Sequence, residues 1–256
     1  MQSKIDFYIN QYLYNRPAFM AIIRSQEAMY FQEYLDLIKP IVLDYGCGDG
    51  FFAATVFGKR KIDIGLDLKN SRAQEAKQNR IYKKVVYYDG RKIPFPDNYF
   101  STIIANCVFE HLPNLQSSLK ELNRVLKPDG YLLTTVMNNK WNNYLFGKKF
   151  FGKKYCNFMK NNQQHINLFS TQKWNIIFNK NGFTIYKQSD YLKKYSASWL
   201  DIFHYLSIPS LLSYIFWKKW VIFPFLNIQL YSKKIIKIVG KEDKSQGAAI
   251  FYVLRK

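Results

Sequence analysis

The segment 42–50 constrains the fold more than any other part of the chain. It reads VLDYGCGDG, a short apolar strand that runs directly into a glycine-rich loop. Glycine is needed where the backbone turns sharply and approaches a ligand, because a side chain would obstruct both. The segment therefore predicts the first strand and ligand-binding turn of an α/β fold.

The hydrophobic pattern after this loop predicts strands that alternate with helices. Apolar runs predict strands at 41–44, 62–68, 85–88, 101–108, 131–137, 183–187 and 248–254. Helical spacing of apolar residues predicts helices at 18–38, 51–58, 71–80, 115–126 and 171–181. Residues 127–130 are expected to form a turn. This alternation is typical of a parallel sheet with helices on both faces.

The same pattern predicts four regions along the chain. Residues 1–39 are expected to form an N-terminal helical cap and 40–189 a Rossmann-like core. Residues 190–245 form an apolar and basic insertion, and 246–256 supply the final strand of the core sheet. The insertion is unusual because a hairpin loop would be enough to join the last two strands.

Charge is distributed unevenly. The chain of 256 residues has 38 Lys and Arg against 18 Asp and Glu, and +14 of its net +20 lies between residues 130 and 240. Such a region attracts polyanions, anionic lipid headgroups or phosphorylated substrates. The alternative is a solvated, Lys-rich surface that reflects an AT-rich genome and has no function of its own.

Cysteine usage and the first residues predict the compartment. The three cysteines, Cys47, Cys107 and Cys156, cannot form a complete disulfide framework, which excludes a secreted, disulfide-stapled class. The first thirty residues lack a basic segment followed by an apolar run, so no signal peptide is expected. These features predict a cytoplasmic protein, and association with the inner face of a membrane stays open.

The glycine loop distinguishes between nucleotide-like cofactors. A nicotinamide-type fingerprint needs a third small residue, and Phe51 stands in its place. Asp67 follows Gly48 by 19 residues, at the end of the second predicted strand. An acid at this position can accept hydrogen bonds from ribose hydroxyls.

Five ordered motifs carry a family resemblance. They read VLDYGCGDGFF, IGLDL, YYDGRKIPFPDNYFS, IIANCVFEHL and ELNRVLKPDGYLLTTV. In these motifs the chain resembles the class I S-adenosylmethionine-dependent methyltransferases of the type 11 group, over about residues 20–188. The last motif departs from the family pattern at Asp129, which replaces a glycine and which a turn tolerates.

The resemblance implies a fold, a cofactor and a set of cofactor-binding residues. The fold is a doubly wound, mostly parallel, seven-stranded Rossmann-like sheet with an antiparallel last strand, and the cofactor is S-adenosylmethionine. The first motif is expected to hold the methionyl and adenosyl parts, Asp67 the ribose and Asp89 the adenine amino group. Asn106 lies at the carboxyl end of the fourth strand and is expected near the methionine end. The predicted cofactor site comprises Asp44, Gly46, Cys47, Gly48, Gly50, Asp67, Leu68, Asp89, Gly90 and Asn106.

Two histidines are candidates for removing a proton from the methyl acceptor. His111 follows the fourth strand, and His165 precedes the helix before the sixth strand. Each also has a structural interpretation, as a residue without a chemical role or as part of a helix entry. Glu110 is a further candidate that would orient a histidine or line the pocket. No metal site is predicted.

Several other polar residues and cysteines can be explained by a structural role as well as by a functional one. His204 lies in an apolar run and is expected to be packed, and Cys47 and Cys107 are expected to be small packed residues rather than nucleophiles. Arg24 and Glu27 either cover the cofactor or form an ordinary i,i+3 ion pair.

The insertion contains two uncharged, aromatic-rich runs. The first, 202–217, has 16 residues, the second, 220–232, has 13, and each contains proline. Both are shorter than the ~20 residues that a membrane crossing needs. Flanking lysines fit a segment that lies among lipid headgroups, and a lid of helices over the active site is the alternative.

These features predict a methyltransferase that acts on a small-molecule, lipid or glycan-precursor acceptor near a membrane surface. The alternatives are an RNA methyltransferase, which is less favoured because no RNA-binding module is recognisable, and an inactive methyltransferase-like scaffold at a membrane. The intact glycine loop and its acids argue against the scaffold. The sequence selects neither the acceptor atom nor an oligomeric state.

Overall fold

One seven-stranded sheet forms the framework of the computed structural model, which describes residues 2–58, 60–69 and 71–256. The strands are β1 (Val42–Tyr45), β2 (Ile62–Leu68), β3 (Tyr82–Tyr88), β4 (Phe100–Asn106), β5 (Leu126–Met137), β6 (Thr184–Tyr191) and β7 (Ala249–Arg255). They lie in the order β3-β2-β1-β4-β5-β7-β6. Strands β1 to β5 pair in parallel, and β7 runs antiparallel to β5. The predicted Rossmann-like fold class is confirmed.

Helices fill the connections. They are α1 (Gln2–Asn15), α2 (Ala18–Glu33), α3 (Phe51–Phe57), α4 (Ala73–Ala76), α5 (Leu115–Val125), α6 (Trp141–Tyr144), α7 (Lys148–Asn162), α8 (Thr171–Lys180), α9 (Lys194–Leu206), α10 (Ile208–Trp217) and α11 (Pro224–Val239). Two 3₁₀ helices lie at Leu35–Leu37 and Phe109–His111.

Two predicted elements differ in the structure. The turn expected at 127–130 is an irregular segment within the bounds of β5. Phe100 pairs with Leu126 and Thr102 with Tyr131, so the residues between them bulge out of the ladder, and Asp129 takes a left-handed φ of 62° there. The polar helix expected at 71–80 is reduced to α4, which has one buried turn at Ala73 and Ala76.

Helices α5 and α8 pack against the sheet and hold its strands in place. Helix α5 buries Leu115, Leu119 and Leu122, whose spacing places them on one face against the sheet. Trp174 and Phe178 of α8 stack with ring centroids 5.6 Å apart in the same cluster. Each such side chain contributes about 1.5–3 kcal/mol when it leaves water. The sheet is therefore a rigid support for the loops at its edge.

The chain divides into two compact units. The sheet unit comprises 31–139, 164–189 and 249–256, and the helical unit comprises 1–30, 140–163 and 190–248. The helical unit is thus assembled from three separate parts of the sequence. The domain boundaries drawn from the sequence stay a prediction.

Within the helical unit, the first and last helices pack against each other. The Asn227 side-chain amide of α11 donates to the Leu13 carbonyl at 2.5 Å, and the Ser232 hydroxyl donates to Asn10 at 2.7 Å. None of the helices in the described ranges combines the length and the apolar character that crossing a bilayer would require.

A buried carboxylate joins other parts of the helical unit. Asp201 is 1% exposed and accepts hydrogen bonds from the Gly147 amide at 3.0 Å and the Tyr155 hydroxyl at 2.6 Å. Burial and the hydrogen bond to Asp201 raise the pKa of Tyr155, so the phenol stays protonated and donates. This contact ties α9 to the segment that precedes α7.

Replacing this carboxylate should destabilise the protein. Asp201→Ala leaves two buried donors without their acceptor, which costs about 2 kcal/mol. Urea unfolding should show this loss, whereas Asp201→Asn keeps one acceptor oxygen and should lose less. Glu242→Ala, an exposed acid of the same unit, is the control and should change stability by less than about 0.5 kcal/mol. Equal unfolding midpoints for Asp201→Ala and Glu242→Ala would contradict the structural role of Asp201.

Candidate cofactor site

A crevice of about 280 Å³ lies at the carboxyl ends of β1, β2 and β3. In an open parallel sheet, this edge is where ligands bind, beside the point at which the strand order reverses. Here the order reverses at β1, which lies between β2 and β4. The crevice is lined by Tyr45, Gly46, Asp67, Leu68, Tyr88, Asp89, Gly90, Arg91, Val108, Leu112, Pro113, Asn114 and Ser118.

The glycine loop after β1 is fixed to the end of β2. The Gly46 amide donates to the Leu66 carbonyl at 2.8 Å, and Gly46 has a φ of +73° that side-chain-bearing residues rarely adopt. A Cβ atom at Gly46 would lie 2.6 Å from Cγ2 of Val108, which packs directly against it and also lines the crevice. Glycine is therefore required here both for conformation and for space.

Asp67 at the end of β2 holds this loop. Its carboxylate accepts hydrogen bonds from the Gly48 amide and from the Leu68 amide, each at 2.7 Å. A carboxylate offers about four acceptor sites, so Asp67 can also accept from hydroxyls of a bound molecule. One side chain thus orders the loop and presents negative charge to the crevice.

Asp44 lies behind the loop rather than in the crevice wall. It is buried, and it accepts a hydrogen bond of 2.6 Å from the Tyr82 hydroxyl. The pKa of Asp44 is raised to about 7, mainly by burial; the Tyr82 hydrogen bond opposes this rise, and the charge of Asp67 adds a smaller one. Burial likewise raises the pKa of the neighbouring Cys47 thiol, which makes it a poor nucleophile.

The far wall combines polar and apolar groups. Asp89 accepts a hydrogen bond from the Arg91 amide at 2.9 Å, and the Tyr88 hydroxyl donates to the Tyr45 hydroxyl at 2.9 Å. Leu68 and Leu112 supply apolar surface. Acids that accept from hydroxyls and amines, next to apolar surface for a planar base, fit the nucleoside part of S-adenosylmethionine.

The predicted cofactor residues divide into two groups. Those that line the crevice are Gly46, Asp67, Leu68, Asp89 and Gly90. The others, Asp44, Cys47, Gly48, Gly50 and Asn106, do not line it. Asn106 accepts a hydrogen bond of 2.7 Å from the Thr135 hydroxyl, so it connects β4 to β5. Assignment of all ten residues to cofactor binding stays a prediction.

The sequence did not single out several lining residues. Tyr45 directly follows Asp44 in the glycine-rich motif. Its place in that motif was the one signal in the sequence that could have identified it as a lining residue. Leu112, Asn114 and Ser118 reach the crevice through the 3₁₀ helix and the first turn of α5. No sequence periodicity predicts the direction in which such a short connection turns.

The structure brings the two candidate histidines together with Glu110. The ring centroids of His111 and His165 are 5.2 Å apart, and Glu110 and His165 are buried. Glu110 and His111 lie on the 3₁₀ helix whose flanking residues, Val108 and Leu112, line the crevice.

The remaining polar candidates lie in the helical unit. His204 packs with its ring centroid 4.9 Å from that of Phe19, and burial lowers the pKa of His204. Arg24 and Glu27 form an i,i+3 ion pair of 2.6 Å, and the Tyr191 hydroxyl donates to Glu27 at 2.9 Å. The structure thus shows the ordinary ion pair that the sequence left open.

Comparisons with known proteins agree with this geometry. Residues 43–134 match the family model described as "Methyltransferase domain". The chain is 32% identical over 111 residues to a malonyl-[acyl-carrier protein] O-methyltransferase of Legionella pneumophila, which covers 41% of this chain and 39% of that protein. It is 32% identical over 108 residues to a ubiquinone/menaquinone biosynthesis C-methyltransferase of Paraburkholderia phymatum, with 39% and 44% covered. The chain thus spans less than half the length of these relatives.

A solved structure supports the fold over nearly the whole chain. A SAM-dependent methyltransferase from Archaeoglobus fulgidus superposes with a TM-score of 0.56 at 15% identity and covers 91% of this chain and 94% of its own. The sheet order and this superposition show that the chain has the Rossmann-like fold of such methyltransferases. Residues 43–134 are similar to the type 11 methyltransferase-domain family, and this match together with the solved structures implies S-adenosylmethionine as the cofactor.

Proposed function

We propose that the chain is an S-adenosylmethionine-dependent methyltransferase that acts on a lipid or lipid-linked acceptor at an anionic membrane surface. The observation that carries methyl transfer is the crevice, in which the glycine loop and the acids at the ends of β2 and β3 meet. The observation that carries the membrane surface is an exposed apolar helix face in the helical unit.

The proposed binding roles follow from the contacts. Asp67 accepts from the ribose hydroxyls while it fixes Gly48, and Asp89 accepts from the adenine amine. Leu68 and Leu112 exclude water from the base. When bound, the cofactor supplies a methyl group on a sulfonium, a good leaving group that needs no activation. The protein has to align the acceptor with that methyl and exclude water.

The proposed catalytic residues are His111 and His165. A histidine near the crevice can accept a proton from an oxygen or nitrogen acceptor. The two matched relatives are named for O- and C-methyl transfer, so their names favour neither acceptor atom.

Calorimetric titration with S-adenosylmethionine tests cofactor binding. Saturable binding of one molecule per chain would support the proposal, whereas no binding would favour the inactive scaffold.

An apolar surface of the helical unit supports the membrane part of the proposal. Apolar residues of α10 recur at helical spacing, yet they are exposed and Ser213 is the residue that the helix buries. The surface continues through the connection to α11, where Phe225 is 77% exposed. We name this surface the α10–α11 surface; its residues are Ile208, Leu211, Leu212, Ile215, Phe216, Trp217, Ile222, Phe223, Phe225, Leu226 and Leu230.

Lysines accompany this surface. Lys218 and Lys219 lie between the two helices, and Lys233, Lys234 and Lys237 lie in the second half of α11. Segments 202–217 and 220–232 contain no charged residue at all. Apolar side chains with a basic margin fit an anionic lipid surface, where each lysine near the headgroups contributes about 1 kcal/mol. Charge complementarity therefore favours a bilayer as the occupant.

Vesicle flotation tests the membrane part. The protein should float with phosphatidylcholine vesicles that contain phosphatidylglycerol and float poorly with phosphatidylcholine alone. Phe216→Glu/Phe225→Glu should weaken partitioning at least about 100-fold, since each buried Phe contributes about 1.5–3 kcal/mol. Ile176→Glu is the matched control, because Ile176 is 53% exposed but lies on α8 of the sheet unit. Ile176→Glu should bind vesicles like the parent protein.

Other outcomes would overturn the membrane proposal. Self-association that the Phe216→Glu/Phe225→Glu variant abolishes would show that a second copy of the chain covers this surface. Binding to bulk RNA in preference to anionic vesicles would favour the RNA methyltransferase alternative. Equal flotation of all the variants would show that the α10–α11 surface does not contact lipid.

A further inference from the structure

Four hydrogen bonds clamp two distant segments of the sheet unit together. The amides of Ile166 and Asn167 donate to the Glu110 carbonyl at 2.8 and 2.9 Å. The Asn167 side-chain amide donates to the carbonyls of Phe109 and Leu112 at 2.9 and 2.7 Å. Asn167 is itself buried. The 3₁₀ helix Phe109–His111 and the segment around His165 are thus held in a fixed relation.

This clamp brings three metal-binding side chains together. One ligand atom from each of Glu110, His111 and His165 lies within 4.8 Å of the other two. Ligand atoms around one ion at about 2.1 Å are about 3–3.5 Å apart in tetrahedral geometry, so small side-chain rotations would bring these three onto one ion. The sequence hides this set, because His165 is far along the chain from the Glu-His pair.

Hydrogen bonds to the backbone orient two of these metal-binding side chains. His111 Nδ1 lies 3.1 Å from the Gln164 carbonyl. Because a carbonyl only accepts, Nδ1 carries the proton, and Nε2 is the nitrogen that can offer a lone pair. The Met137 amide donates to Glu110 Oε1 at 3.3 Å. Partners of this kind fix the orientation of ligands in protein metal sites.

We infer that Glu110, His111 and His165 bind a divalent transition metal ion, and that the ion holds an oxygen of the methyl acceptor. Two imidazoles and one carboxylate suit zinc, iron, manganese, cobalt or nickel better than magnesium or calcium. Three protein ligands leave at least one coordination position for another molecule, as in catalytic sites. This second part of the inference rests on the proposed function.

The position of the cluster supports a role toward the acceptor. Val108 and Leu112, on either side of the 3₁₀ helix, line the cofactor crevice. An oxygen bound to the ion would lie at the edge of the crevice, and coordination lowers the pKa of a hydroxyl or phenol. A metal ion would thus prepare an oxygen acceptor for the cofactor methyl, and the proton that the acceptor loses would pass to solvent. With the ion bound, the two histidines act as its ligands and no longer as the groups that accept this proton.

Metal titration of the full chain, without cofactor, is the direct test. After dialysis against a chelator and then buffer, Co²⁺ should bind saturably at one ion per chain and give a visible absorption spectrum that Zn²⁺ displaces. His111→Asn should weaken Co²⁺ binding at least 100-fold, and His165→Asn should do the same. His204→Asn is the control, because it removes a histidine of the helical unit and should leave one ion per chain.

The outcomes separate the metal site from the proposed function. Co²⁺ binding that survives both His111→Asn and His165→Asn would overturn the inference, as would no saturable binding to the parent protein. If His165→Asn fails to fold, as a lower thermal midpoint would show, the half-buried His111 provides the decisive variant. Calorimetric binding of S-adenosylmethionine to metal-free protein reports separately on the proposed function.

Discussion

Asp44→Asn is expected to make the cofactor-free protein more stable at pH 8 and to flatten its dependence on pH. Burial raises the folded-state pKa of Asp44 to about 7, from an ordinary value of 3.8. Between these values the unfolded chain loses the proton and the folded chain keeps it, so the contribution of Asp44 to stability falls as pH rises. The difference is fully expressed above pH 7. At 1.36 kcal/mol for each pH unit, it amounts to about 4 kcal/mol.

Urea unfolding at pH 4 and pH 8 measures this effect. The free energy of unfolding of Asp44→Asn, relative to the parent protein, should rise by about 4 kcal/mol between the two pH values. Tyr82→Phe removes the hydrogen bond that favours the ionised form of Asp44. It should therefore raise the folded-state pKa of Asp44, and stability should continue to fall with pH above pH 7. Parallel curves for the parent protein and Asp44→Asn would show that Asp44 is ionised throughout the range.

Asp67→Ala is expected to weaken binding of S-adenosylmethionine about 100-fold or more. Hydrogen bonds to a charged group contribute about 1.5–3 kcal/mol each, and the substitution removes those proposed to the ribose. It also frees the Gly48 amide, which Asp67 holds at 2.7 Å. Both effects act in the same direction, and calorimetry with purified protein measures their sum.

Asp63→Asn provides the matched control for Asp67→Ala. Asp63 lies on the same strand, four residues earlier, where it accepts from the Val42 amide at 2.8 Å and from Lys83 at 2.7 Å, outside the crevice lining. Its substitution should leave cofactor affinity within about threefold of the parent value. Asp67→Asn, which keeps an acceptor for Gly48, should lose less affinity than Asp67→Ala. Unchanged affinity of Asp67→Ala would refute the ribose assignment.

The sheet could be predicted because its signals are local. Strand β2 was predicted at its observed bounds, since its apolar residues recur at every second position, which is typical of a strand. Helices α6 and α7 were not predicted, and α1 lies in the predicted helical cap, for which helix bounds were predicted only at 18–38. In α7 the aromatic residues Phe150 and Phe151 are exposed, so the sequence lacks the apolar periodicity that marks a helix packed on a core.

The candidate site was predictable only where it follows a strand. Gly46 and Asp67 stand at strand ends, and the topology of a parallel sheet places such residues in one crevice. The cluster of Glu110, His111 and His165 depends instead on the Asn167 hydrogen bonds across the chain. Such a long-range contact cannot be read from the spacing of nearby residues. The sequence therefore identified both histidines as candidates but did not predict that they lie close together.

The pairing of α1 with α11 sets an order for biosynthesis. During translation α1 leaves the ribosome before its partner α11, which follows only when residues 224–239 have been made. Apolar side chains of α1, such as Ile9 and Leu13, are therefore synthesised long before α11. Leu13 and its hydrogen-bond partner Asn227 are 214 residues apart in the sequence. A nascent chain of this protein would present them to chaperones, or to a nearby bilayer, for most of its synthesis.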